Sequence, residues 1–199
     1  MAVVRLKSLL PILLMVVFAA TRWPGLMPWN FSAVYAMMFC AGVYFPKRLV
    51  WWLPFATMLV TDVLLNLFYY KVHILAPEMI GNYLAYAGLV LLGRWFSPKS
   101  SWLGLLSGGL LGAILFYLIS NSMSWLSNPE YTKNLQGWLR ALSIGTAGWP
   151  QTWEFFRSTF LSGGLFTGLF AGAMKLSEAA EPKEKEEEQP EEEPEEAKA

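Results

Sequence analysis

Residues 102–120 read WLGLLSGGLLGAILFYLIS, a run without a charged side chain. Crossing the hydrocarbon core of a bilayer takes ~20 apolar residues, so this stretch is long enough to span. It lacks the strict apolar/polar alternation of a barrel strand. In lipid its backbone polar groups must satisfy one another, which leaves the helix as the fitting form. Similar runs lie on both sides, at 8–21, 31–45, 49–70, 80–96 and 155–175. The expected fold is all-α: a polytopic helical membrane bundle with six transmembrane helices over residues 1–176. The first run has a second reading as a secretory signal peptide cut after Ala19, which would leave five helices.

Charge divides the chain in two. Its 199 residues carry 15 Lys+Arg and 15 Asp+Glu, but residues 177–199 hold eleven Glu and three Lys, a net −8, and the body a matching +8. The tail has no aromatic residue and is interrupted by proline, so it is expected to be a disordered acidic segment, at most transiently helical around Lys183–Glu188. In the body, seven basic residues (Arg5, Lys7, Lys47, Arg48, Arg94, Lys99, Lys175) fall on one side of the six-span scheme and five (Arg22, Lys71, Lys133, Arg140, Arg157) on the other. The positive-inside rule then puts both termini in the cytoplasm. Tryptophan agrees with this layout: Trp51, Trp52, Trp95 and Trp102 gather at the inner boundary, and Trp23, Trp29, Trp125, Trp138, Trp149 and Trp153 at or beyond the outer one. The expected location is a cytoplasmic (inner) membrane, with the lipid bilayer as the first partner.

Scarcity excludes much chemistry. Asp62, His73 and Cys40 are each the only residue of their type. An intrachain disulfide, a Cys/His zinc site, an HExxH metalloprotease and a two-aspartate dyad are therefore ruled out. No enzymatic activity, metal or other cofactor is expected. The basic residues form no patch for nucleic acid.

Three constellations remain. Gly104, Gly108 and Gly112 on the fifth span, and Gly164, Gly168 and Gly172 on the sixth, recur every four residues and make flat stripes for helix packing or for docking a partner subunit. Asp62 and Asn66 stand one helical turn apart, so they share a face. A carboxylate inside a span marks a site or an ion pair between helices, with Arg157 as the candidate partner. Tyr117, Asn121 and Trp125 form an i, i+4, i+8 stripe leading into the long segment 121–154, Trp153 and Arg157 enter the last span, and Asn30 and Phe31 follow the first. Amide, guanidinium and aromatic groups at one membrane face suit a small polar or aromatic ligand. Within 121–154, LQGWLRALSI is expected to form a short helix along the outer surface.

RWPGLMPWNF (22–31) followed by SAVYAMMFCAGVYF resembles the first loop and second helix of a bacterial family of six-helix membrane proteins of unknown function. The resemblance spans roughly residues 20–173 and rests on Arg22, Pro28, Asn30, Phe31, Asp62, Ser120, Asn121, Trp125 and Tyr131, with Trp29 as an extra residue before the N-F pair. In outline that family is similar to the substrate-binding membrane subunits of energy-coupling-factor transporters. The resemblance implies ligand capture around Asn30, Asn121 and Trp125, and a membrane coupling subunit with ATPases as partner. The small-residue AxxxA surface of such subunits is absent from the first helix, where Ala19 and Ala20 are adjacent. The chain has no GxxxxGK[ST] sequence, so an ATP-driven step would belong to another protein. The function expected from these readings is small-molecule binding near the outer face as a transporter subunit; the alternative is a structural or assembly protein packing through its glycine-rich helices.

Overall fold

A computed structural model describes the backbone of residues 2–73 and 78–187, and the side chains of residues 10–73 and 79–179. The protein is all-α, with seven helices among the described residues: α1 (Ala2–Thr21), α2 (Val34–Tyr44), α3 (Trp52–Leu64), α4 (Glu78–Arg94), α5 (Trp102–Ser127), α6 (Leu135–Ser143) and α7 (Thr152–Glu187). A π-helical turn, Leu65–Tyr70, continues α3. Among the described residues two stretches are long and apolar enough to cross a membrane, Trp52–Tyr70 and Trp102–Ser127. Large apolar side chains are exposed on the outside of the helices, among them Leu111 and Leu118 on α5 and Leu161, Leu165 and Leu169 on α7.

α2 is the axis. Ten of its eleven residues are buried, because α1, α3, α4, α5 and α7 all pack on it. A helix apolar on every side fits such a place. At 1.5 Å per residue it is only ~16 Å long, about half the thickness of a hydrocarbon core. The tightest crossing is between α2 and α4. A Cβ on Gly42 would stand 2.3 Å from the Val90 carbonyl oxygen, and one on Gly93 2.2 Å from that of Phe39. Backbone meets backbone there, so neither side can yield.

The two glycine ladders do not pair with each other. The α5 ladder receives Phe39 and Phe96 at Gly108 and Leu89 and Leu92 at Gly112, whereas Leu110, Leu106 and Trp102 of α5 cover the α7 ladder. The Trp102 indole also donates to the Gly168 carbonyl at 2.9 Å. α5 and α7 also meet at Gly109 against Thr167 and at Ala113 against Gly163.

The helix ends have local causes. The Ser101 hydroxyl accepts from Gly104 N–H at 3.1 Å to start α5, and the Asn134 side chain accepts from Gly137 N–H at 2.8 Å to start α6. α6 lies within the expected LQGWLRALSI segment. α7 departs from expectation at its far end, running to Glu187 rather than stopping at 176. Ser177 is buried there, its hydroxyl on the Met174 carbonyl. The acidic residues beyond Glu187 lie outside the described residues.

Gly93→Ala and Gly42→Ala should each destabilise the protein by about 2–3 kcal/mol, since the added methyl meets a carbonyl on a neighbouring helix. Gly88→Ala, whose Cβ would meet only side-chain ends at 3.4 Å and beyond, should change stability by less than about 0.5 kcal/mol. Thermal unfolding of the three variants in one detergent checks the ranking.

Candidate functional site

α3 is the most lightly attached of the long helices. Its buried residues are Pro54, Met58 and Asp62, spaced four apart along one narrow stripe. Asp62 carries the polar part of that attachment. One carboxylate oxygen pairs with the Arg22 guanidinium from the end of α1, and the other accepts from the Tyr83 hydroxyl on α4 at 2.8 Å. A second Arg22 nitrogen rests on the Met58 sulfur at 2.6 Å, and the guanidinium lies 5.7 Å from the centre of the Phe18 ring. Arg22 and Asp62 side chains are 18% and 11% exposed. A pair this dry needs further hydrogen bonds to offset the lost hydration, which Tyr83 supplies.

Beside this node lies a cavity of about 630 Å³, within the size range of small-molecule sites. Its wall is drawn from the C-terminal ends of α1, α3 and α5 and the N-terminal ends of α2, α4 and α7, so it opens at one end of the bundle. A chain of rings runs along it. Tyr35 and Phe116 are 4.8 Å apart between centroids, Phe116 and Tyr86 are stacked at 5.0 Å, and Tyr86 and Tyr83 meet edge to face at 6.2 Å. The Tyr35 hydroxyl donates to the Asn30 carbonyl at 3.2 Å and accepts from Thr159 at 3.3 Å. Asn30 holds the left-handed conformation, φ +58°, which asparagine tolerates better than most residues. Asn82, Ser120, Asn121 and Ser124 add amides and hydroxyls to the same wall.

Of the residues singled out in the sequence, Asn30, Asp62 and Asn121 line this cavity, together with Arg22 and Ser120 from the resemblance. The others lie elsewhere. Phe31 packs edge-on against Phe166. Asn66 lies in the π turn that continues α3, and its amide meets the sulfur of Met79, a residue of the cavity wall, at 3.9 Å. Tyr117, Trp125 and Trp153 secure the long 121–154 segment: the Tyr117 hydroxyl donates to the Leu142 carbonyl, Trp125 to the Thr132 carbonyl at 2.8 Å, and Trp153 to the Gln151 side chain at 2.6 Å. Arg157 does not pair with Asp62. Its guanidinium lies 5.6 Å from the Trp153 ring, one turn back on its own helix, and Arg22 takes the carboxylate instead. Tyr131, buried in the same segment, has its phenol pushed above the ordinary value by burial, with Arg140 acting in the opposite direction. Among the described residues no three His, Cys, Asp or Glu side chains gather in a form that could hold a metal ion.

Tyr35, Asn82, Tyr83, Tyr86 and Phe116 were not singled out in the sequence. Their signal was available in part. A tyrosine inside an apolar run needs a partner for its hydroxyl, and Asn82, Tyr83 and Tyr86 fall within one such run.

The match to known sequences covers nearly the whole of this arrangement. The chain belongs to a family of unknown function, DUF6580. The match extends over residues 4–185 and so includes every residue of the cavity wall. No curated protein and no solved structure matches the chain.

Removing one member of the ion pair leaves the other charge unpaired. Arg22→Met or Asp62→Leu should therefore cost about 3 kcal/mol, and the double variant should recover most of that loss. Tyr83→Phe should cost about 1.5–3 kcal/mol, the usual range for a hydrogen bond to a charged group. A double-mutant cycle on unfolding in detergent measures all three.

Proposed function

We propose that the protein is a six-span protein of a bacterial inner membrane that binds a small molecule from the outside, as the substrate-binding subunit of a transporter. The cavity carries this reading: it is of ligand size, it opens at one end of the bundle, and amide, hydroxyl and aromatic groups converge on it. Support for the membrane comes from the two stretches long and apolar enough to span and from the apolar side chains exposed along α5 and α7. α1, α2, α4 and α7 complete the six spans, with the short α2 sheltered from lipid by its neighbours. The cavity end carries Arg22 and the 121–154 segment, the side with fewer basic residues, so it faces outward with both termini in the cytoplasm. Movement of the ligand into the cell then falls to a coupling subunit with ATPases, since this chain has no nucleotide-binding sequence.

The assembly alternative has less surface to draw on, because neighbouring helices of the same chain cover much of both glycine ladders. Native mass spectrometry of protein extracted in nanodiscs tests the choice. A bound small molecule should be present in the wild type and in Trp125→Phe, and absent from Asn121→Trp, which puts an indole into the cavity. Equal loading of Asn121→Trp and wild type would remove the site. Topology is checked with single cysteines in a Cys40→Ala background. A cysteine at Ser143 should react with an impermeant maleimide from outside and one at Ser97 should not.

A further inference from the structure

The cavity's two charges are spent on each other, and that decides what it can hold. Among the described residues Arg22 and Asp62 are the only charged side chains on its wall. They are paired, with Tyr83 closing the second carboxylate oxygen. A ligand carrying a net charge would enter a site with no free counter-ion, and burying an unpaired charge is strongly unfavourable.

The neutral hydrogen-bonding groups are in the opposite condition. Tyr86 is 5% exposed and its ring lines the cavity, yet its hydroxyl has no hydrogen-bond partner among the described residues. Asn82, one turn earlier on the same face of α4, likewise has no side-chain partner among them. Asn121 spends its Nδ2 on the Tyr117 carbonyl at 2.8 Å, which leaves its side-chain oxygen as an acceptor. The Ser124 hydroxyl likewise makes no hydrogen bond among the described residues, and it stands one turn from Ser120 on the same wall. These groups offer donors and acceptors together. Beside them the Tyr86, Phe116, Tyr35 and Tyr83 rings form a continuous aromatic stretch of the same wall.

We propose that the cavity takes an uncharged, planar ring compound that both donates and accepts hydrogen bonds, with its faces against the Tyr35–Phe116–Tyr86–Tyr83 wall and its polar edge on Asn82, Tyr86, Asn121 and Ser124. This rests on the reading of the cavity as a ligand site. The ring wall supplies apolar contact area, and the unspent amides and hydroxyls can bond to the polar edge of the molecule.

Three flat tricyclic fluorophores of similar size separate charge from shape: lumichrome, neutral with ring carbonyls and N–H groups; proflavine, a cation; and anthracene-2-carboxylate, an anion. Titrated into nanodisc-embedded protein, with empty nanodiscs as the blank, lumichrome should bind at least tenfold more tightly than either ion. Tyr86→Phe, which keeps the ring and removes the hydroxyl, should weaken lumichrome about tenfold, the loss expected for one buried hydrogen bond. Tighter binding of either ion, or an unchanged lumichrome affinity in Tyr86→Phe, would overturn the assignment. If none of the three binds, the molecule that co-purifies decides. One that absorbs as an aromatic ring and is neutral at pH 7 upholds the proposal. A charged or ring-free one overturns the ligand class while leaving the site, and no bound molecule overturns both this proposal and the reading on which it rests.

Discussion

The ion pair between Arg22 and Asp62 is the constraint on which the upper half of the bundle depends. It joins the end of α1 to α3, and through the Tyr83 hydroxyl it joins both to α4. α3 has little else to hold it, since only Pro54, Met58 and Asp62 are buried along the whole helix. The pair is dry enough that each charge needs the other, and it sits where the cavity begins. Stability and site chemistry are therefore set by the same atoms. The node holds α3 in place, and by cancelling its own charges it leaves the rest of the wall neutral.

The lower half is organised differently, by close packing around α2. A helix of eleven residues with ten buried has no face left for lipid or water. Its approach to α4 at Gly42 and Gly93 is close enough that either Cβ would strike a carbonyl oxygen. Neither backbone can give way there, so close approach and the dispersion contacts it brings fix which neighbour α2 meets. The two halves thus divide the work: shape complementarity fixes the core, and a hydrogen-bonded charge pair fixes the helix that closes the cavity.

The long segment 121–154 shows how the same residue types can serve either end. Tyr117, Trp125, Trp138 and Trp153 have the amphipathic character expected of ligand-contacting or interfacial residues. In the structure each spends its polar atom on the segment itself: Tyr117 on Leu142, Trp125 on Thr132, Trp138 on Ser122 and Trp153 on Gln151. They shape the rim and leave the cavity to Asn121 and Ser124, on the neighbouring face of α5.

Hydropathy and periodicity in the sequence determined the helical class, the approximate position of every long helix, the short helix in the 121–154 segment, and Asp62 as a residue needing explanation. These are local properties, written in side chains a few positions apart. Which cation answers Asp62 was decided only by tertiary structure, because Arg22 and Arg157 are equivalent until helices are placed, and α1 rather than α7 brings its arginine to that face of α3. The same holds for the cavity. Tyr35, Tyr83, Tyr86 and Phe116 come from three helices and form one wall only once α2, α4 and α5 are packed. Glycine spacing marked stripes on α5 and α7, but the closest crossing fell at Gly42 and Gly93, single glycines without a repeat. Close approach depends on what stands opposite, and a sequence records that for no residue.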